Sequence, residues 1–343
     1  MTVSRIANRL VGALMCVACV LASGCAEKPA LVSAWPVASS EATVAPPADA
    51  LRYPLTGAAA PDETAVTKRP LCVKVADPGS AAALTGVQPA DVVYESADTG
   101  SHTQLACIFQ SSVPRRVGPI GVAGMPDLWI VPEYGAALFS TGAPAGLSLS
   151  LQRAGLINFS EDTTASQAYA RASGGVVLDG LKAVRALEAA GSSVATQSAR
   201  LRFSATLDST ATPIVGVSIP FSNSSVVSWA YDSAHHTYRR SEGGQTQTEA
   251  STGKQITAAN VVVVWAHYTP LDADIAGGGG FDVTLGGSGQ ASVFRDGQRL
   301  DGKWKADGTS PPRFVREDGS SVRLSPGNTW VEVIPLSANI TLR

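Results

Sequence analysis

Charge is scarce in this chain, and neither sign dominates. Lys, Arg, Asp and Glu make up 16% of its 343 residues, and 26 basic against 28 acidic side chains leave a formal charge of −2. That balance excludes a broad cationic surface for nucleic acid and a solvating acidic tail. Histidine occurs four times. His235 and His236 are adjacent, so on a strand they point to opposite faces, and His102 and His267 stand alone. Zinc needs three or four ligands in tetrahedral reach, and no spacing here supplies them. Also missing is an apolar run of the roughly 20 residues that a membrane-spanning helix requires.

Signatures of known chemistry are equally sparse. No G-x-S-x-G elbow occurs. Ser251-Thr252-Gly253-Lys254 fits S-x-x-K but has no companion motifs and lies in a hairpin-like region. Gly286-Gly287-Ser288-Gly289 follows a strand but opens no helix, so it is no dinucleotide loop. The sequence points to no cofactor and no metal.

What is present begins at the N-terminus. Arg5 and Arg9 precede the apolar run Leu10–Leu21, and Ala22-Ser23-Gly24-Cys25 follows. This order reads as an export signal over residues 1–24. The small residues ending in cysteine are similar to a bacterial lipobox, which makes Cys25 the acylated first residue of the mature chain. Removing the leader takes away two arginines and no acid, moving the charge from −2 to −4.

Of five cysteines, Cys16 and Cys19 lie in the apolar part of the leader, so their C-x-x-C is no redox motif. Cys72 and Cys107 each sit in an apolar, strand-like run. In an oxidising compartment they pair if those strands are neighbours. The bridge would close a loop of about 35 residues and contribute about 3–4 kcal/mol in the chain-entropy picture. The alternative is two buried free thiols.

Residues 25–67, rich in Ala, Pro, Ser and Thr, read as a flexible tether, with Pro54-Leu55-Thr56-Gly57 as an island able to dock. Residues 68–198 read as an α/β domain. Strands are expected at 71–75, 91–95, 104–110, 136–140 and 175–178, and helices near 125–132, 146–154 and 179–190. Asp179 caps the last helix, Gly191 ends it, and Leu181, Val184 and Leu187 form its apolar stripe. Residues 199–343 change to short β-branched runs, with Asp-Gly pairs at 296, 301, 307 and 318 marking hairpins. The fold class is α+β, with the α/β domain followed by a β-rich antiparallel meander or sandwich. Trp129, Trp265, Trp304 and Trp330 fit core anchors better than a glycan groove.

Several motifs occur in a shared order: Pro54-Leu55-Thr56-Gly57, Arg69-Pro70-Leu71, Ala90-Asp91-Val92-Val93-Tyr94-Glu95, Ile108-Phe109-Gln110, Val117-Gly118-Pro119-Ile120, Asn260-Val261-Val262-Val263, Gly302-Lys303-Trp304 and Ser325-Pro326-Gly327-Asn328-Thr329-Trp330. In this order the chain resembles the DUF3048 family of YerB-like bacterial lipoproteins. The resemblance implies a two-domain envelope lipoprotein and no established activity. The family pattern carries arginines at three places occupied here by Gln104, Gly121 and Gly124, and a P-H-N segment where this chain reads Ser173-Gly174-Gly175-Val176. An anionic ligand held by those guanidinium forks would lose three paired donors. The family pattern also has alanines at Cys72 and Cys107, which favours their pairing.

The candidate ligand-binding residues are Asp91, Glu95, Arg115 and Arg116. Asp91 and Glu95 flank a strand at a separation of roughly 13 Å between Cα atoms, far for two carboxylates sharing one reaction. Arg115 and Arg116 adjoin the Gly-rich loop 118–124, whose amides suit an anion. The leading expectation is a non-catalytic binding or scaffolding module on the outer face of the cytoplasmic membrane. It is held there by an acyl chain such as palmitate, with a cell-wall polymer or membrane protein as partner and no nucleic acid. The alternative is an envelope enzyme acting on a phosphate- or glycan-bearing polymer, by a weaker resemblance to LytR-CpsA-Psr phosphotransferases. The anchoring expectation has a direct check. Cys25→Ala should abolish incorporation of a fatty-acid probe and move the protein from the membrane pellet to the soluble fraction.

Overall fold

Apolar, β-branched segments form strands close to where the sequence places them. The computed structural model describes residues 51–343 except 78, 80–82, 99–101, 162–164, 196–198 and 272–279. The leader, Cys25 and residues 26–50 lie outside the described residues. The first half contributes helix α1 (Glu63–Thr67), β1 (Leu71–Ala76), β2 (Val92–Ala97), β3 (Thr103–Phe109), α2 (Asp127–Glu133), β4 (Ala137–Ser140), α3 (Ala145–Arg153), β5 (Asn158–Ser160), β6 (Tyr169–Ala172), β7 (Gly175–Leu178) and α4 (Gly180–Ala189). The second half contributes β8 (Gly216–Pro220), β9 (Val226–Asp232), β10 (Thr237–Glu242), β11 (Asn260–Pro270), β12 (Phe281–Thr284), β13 (Gly287–Arg295), β14 (Gln298–Ala306), β15 (Arg313–Val315), β16 (Ser321–Val322) and β17 (Thr329–Pro335).

The expected succession of an α/β half and a β-rich half holds only in part, because the sheet order joins the two. The chain is mostly β, and one mixed sheet runs β16-β15-β14-β13-β11-β17-β2-β3-β1-β4-β5 through both halves. β17 pairs in parallel with β11 on one side and with β2 on the other. Without it, β2 would present a row of unpaired backbone groups. The tail 328–334 alternates like a half-buried strand, yet six of the seven β17 residues are buried, because both faces of this central strand are covered.

One face of the sheet packs α2 and α3 through Ile130, Val131, Leu147 and Leu151. The other receives α4 and a second sheet, with Leu187, Val217, Trp229 and Tyr238 at the contact. Asp179 caps α4 as expected, accepting from the N–H groups of Leu181 and Lys182. Its buried residues are Gly180, Ala183 and Leu187, however, and Leu181 is 45% exposed. The Asp-Gly pair at 296–297 makes the β13–β14 hairpin, both residues at positive φ. The pair at 301–302 lies inside β14 instead, where a Cβ on Gly302 would sit 2.2 Å from the Val315 carbonyl oxygen. Trp265, Trp304 and Trp330 are buried core residues.

Residues 51–67, the end of the stretch read as a tether, are ordered. Leu55 is fully buried, Leu201 N donates to Pro54 O at 3.0 Å, and Asp62 caps α1.

The proposed Cys72–Cys107 bridge is corrected as well: both thiols are free and buried. Their strands are antiparallel neighbours, but the register pairs Cys72 with Ile108 and Cys107 with Val73. Adjacent positions on a strand face opposite ways, so Cys72 packs with the helical side and Cys107 with the second-sheet side. Neither rotamer nor small backbone shift brings the two sulfurs together.

The two sheets meet over a buried ionic cluster. Arg240 of β10 is fully buried; its Nη2 donates to Glu95 of β2 at 2.8 Å and to Asp77 at 3.3 Å. Glu242 lies 3.8 Å from its Nη1, and the guanidinium stacks 5.1 Å from the Trp330 ring centroid. Glu332 of β17, the register partner of Glu95, accepts from Trp229 Nε1 at 2.7 Å. One cation thus faces four carboxyl groups. Burial, then repulsion from Glu95, holds Glu332 well above the ordinary carboxylate range, and burial raises Glu95 despite Arg240. Burial and Asp77 push Glu242 up to about 7.

These carboxyls keep protons in the folded state that the unfolded chain releases near its ordinary value of about 4.3. Stability therefore falls as pH rises through that value toward the raised ones. Urea midpoints should drop between about pH 5 and about pH 8, and Glu332→Gln should flatten the drop. Arg240→Met should cost about 3–5 kcal/mol near neutral pH, because it leaves buried carboxylates without their cation.

Candidate functional site

β1 and β4 run parallel over Leu71–Val73 and Ala137–Phe139 and then part. The loop after the cis Gly118–Pro119 bond enters between their carboxyl ends. Ala76 N donates to Pro119 O at 2.9 Å, Gly121 N to Lys74 O at 3.0 Å, Thr141 N to Gly121 O at 2.9 Å, and Ala123 N to Gly142 O at 2.8 Å. A Cβ on Gly121 would stand 3.1 Å from Ala76 N, so a residue without one lets the loop lie flat along β1. The wedge opens a crevice outside the carboxyl ends of the strands, the usual place for a ligand in a sheet with parallel strands.

The cleft encloses about 60 Å³. That is room for on the order of five waters, the size of one polar head group. Its walls are Val122, Met125, Pro126, Pro144, Leu147 and Phe281, and its polar lining is Lys74, Ser96, Asp98 and Gln104. Alternation along β1 and β2 explains the choice: Lys74 and Ser96 point to the helical side, and Glu95 points to the second sheet. α3 begins at the rim, and no side chain caps it at Pro144.

Lys74 is nearly sealed from solvent and donates to Asp127 Oδ1 at 3.0 Å. Asp127 Oδ2 accepts from Gly124 N at 2.7 Å, which ties the ion pair to the loop. Burial alone would discharge the ammonium, but Asp127, through its charge and its hydrogen bond, outweighs it and raises its pKa. Burial pushes the Cys72 thiol well up, which removes it as a nucleophile. Gln104 and Ser96 are 8% and 7% exposed, and among the described residues no hydrogen bond reaches either side chain. Their polar atoms reach the cleft, where solvent or a ligand supplies the partner.

The four candidate ligand-binding residues do not converge. Asp91 is a buried brace: it accepts from Gln110 N at 2.5 Å, from Ser111 N at 2.8 Å and from the Ser111 hydroxyl, fixing the start of β2 to the end of β3. Burial raises its pKa and these hydrogen bonds oppose the rise. Glu95 is consumed by Arg240 and by Thr103 Oγ1 at 2.7 Å, on the face of β2 away from the cleft. Arg115 and Arg116 are exposed in a separate groove with Thr85, Gly86, Pro114 and Ser251. Arg171 pairs with Glu161 at the surface. These four residues therefore form no shared site. Two of the three positions where the family pattern has arginine, Gln104 and Gly124, line the cleft, and the third, Gly121, forms its wedge.

Sequence reasoning missed Lys74 and Asp127. A lysine inside Leu71-Cys72-Val73-Lys74-Val75 reads as a solvated position on an alternating strand, and Asp127 reads as a first-turn acid. The available signal was a charge of each sign inside otherwise apolar runs.

The comparisons agree with this geometry. Residues 55–182 match the family described as "Protein of unknown function (DUF3048) N-terminal domain", and residues 217–331 match its C-terminal domain. The chain is 26% identical over 308 residues to "Putative lipoprotein YerB" of Bacillus subtilis (strain 168), covering 83% of this chain and 86% of that protein. The crystal structure of B. subtilis YerB superposes with a TM-score of 0.74 at 24% identity, covering 85% of this chain and 99% of that one. With both family segments in order on one continuous fold, the chain belongs to the DUF3048 family.

Proposed function

We propose that this protein is an exported envelope lipoprotein, acylated at Cys25 and held on the extracytoplasmic face of the membrane. There it works as a non-catalytic binding module. Two things support the anchoring: the lipobox-like ending of the leader, and similarity to a protein named as a lipoprotein. No helix among the described residues is long and apolar enough to cross a membrane.

The observation that carries the binding role is the pair of cleft-lining side chains without a protein hydrogen bond, Gln104 and Ser96, above the Lys74–Asp127 pair. A ligand entering the cleft satisfies the Gln104 amide and the Ser96 hydroxyl, and it accepts from the Lys74 ammonium. The chemistry that does all three in so small a space is a carboxylate or carboxamide on an extended chain, as at the end of a peptide. Lys74 and Asp127 neutralise one another and Asp98 adds a negative charge to the lining, so the site favours a polar group over a multiply charged anion. The lost arginine forks agree with that shift in ligand.

The test is a titration of the protein with carboxylate- and carboxamide-terminated dipeptides, followed by NMR shifts of residues around Gln104. Saturable shifts are expected. Val122, 45% exposed at the cleft wall, is the variant site. Val122→Trp should weaken binding at least about tenfold, or ~1.4 kcal/mol, without lowering the thermal midpoint. Equal binding by this variant would place the ligand elsewhere.

A further inference from the structure

The exposed face of the sheet at β14–β16 concentrates positive charge on a chain whose net charge is −2. In β14, Lys303 and Lys305 point outward while Trp304 is buried. In β15, Arg313 is exposed and Phe314 buried. The extended segment at 199–202 repeats the alternation, with Ala199 and Leu201 buried and Arg200 and Arg202 exposed. It runs beside β16, where Arg202 Nη1 donates to Ser321 Oγ at 3.3 Å.

Arg200, Arg202, Lys305 and Arg313 line one groove of about 460 Å³ together with Asp307 and Ser310. The acid in this groove is already engaged: Asp307 Oδ1 accepts from Thr309 N, Thr309 Oγ1 and Ser310 N, each at 2.9 Å. Among the described residues, no carboxylate makes an ion pair with any of the four cations. Lys305 and Arg313 are also direct register partners on antiparallel strands. Like charges in that position repel and destabilise the pair. A fold that holds them together with no acid in ion-pair contact is arranged for a negative charge from outside.

We propose that this groove is a docking surface for a linear polyanion bearing phosphate-type groups. Arginine forks and a lysine along a concave strip match successive anionic groups on a chain. None of the exposed large hydrophobic residues lines the groove. Insertion into a bilayer surface uses such residues, so a polymer fits the surface better than a membrane.

The experiment measures binding of linear inorganic polyphosphate to the detergent-purified full-length protein across a salt series. Four phosphate contacts predict a loss of affinity on the order of 50-fold between 50 and 200 mM salt. Lys305→Gln/Arg313→Gln should halve the slope of log affinity against log salt and leave the thermal midpoint unchanged or higher, since it removes a repelling pair. Lys182→Gln/Arg185→Gln on the exposed face of α4 makes the same change in net charge and should leave binding intact. The proposal is overturned if the slope survives the groove variant or if the α4 variant weakens binding equally. It is also overturned if phosphatidylglycerol vesicles capture the unacylated Cys25→Ala protein while polyphosphate does not.

Discussion

The buried guanidinium of Arg240 is the constraint on which the architecture depends. It bridges β10 of the second sheet to Glu95 on β2 of the large one, with Asp77, Glu242 and Glu332 around it. Hydrophobic contact between two sheets is tolerant of sliding, whereas a guanidinium with fixed partners is not. Removing charges from water is costly, and one cation cannot compensate four anions. Burial answers the conflict by raising the proton affinity of Glu95, Glu242 and Glu332. The geometry of the cluster therefore couples the relative placement of the sheets to the protonation of Glu95 and Glu332.

The cleft follows from a different conflict. β1 and β4 begin as parallel neighbours and are separated by the 119–124 loop, which satisfies the backbone groups that their divergence frees. Lys74 lies where β1 turns from partner strand to loop, and Asp127 lies where the loop becomes α2. Their ion pair closes the wedge from beneath and leaves Ser96 and Gln104 facing the opening. The floor of the cleft is thus also the fastening of the loop.

Much of the local structure was legible in the sequence. Strands β1 to β4, the Asp179 cap and the Asp296-Gly297 hairpin follow from apolar patterning and turn chemistry. What failed was long-range. Nothing local in Asn328-Thr329-Trp330-Val331-Glu332-Val333 says that this segment enters the middle of a sheet begun more than 200 residues earlier. The paired thiols failed for the same reason, since a one-residue difference in register puts a side chain on the other face. Gln104 was singled out through the family pattern, and the structure brings it to the cleft. Lys74 and Asp127 were invisible because their partnership spans 53 residues.

The position of β17 has a consequence for the life history of the protein. Until residues 329–335 are available, β2 and β11 each lack a neighbour on one side, and the large sheet exists as two incomplete pieces. A nascent chain in that condition cannot close prematurely into its final form, so it stays threadable until nearly all of it has been made. On the proposed export route, late insertion of the keystone strand reconciles tight eventual packing with an unfolded passage.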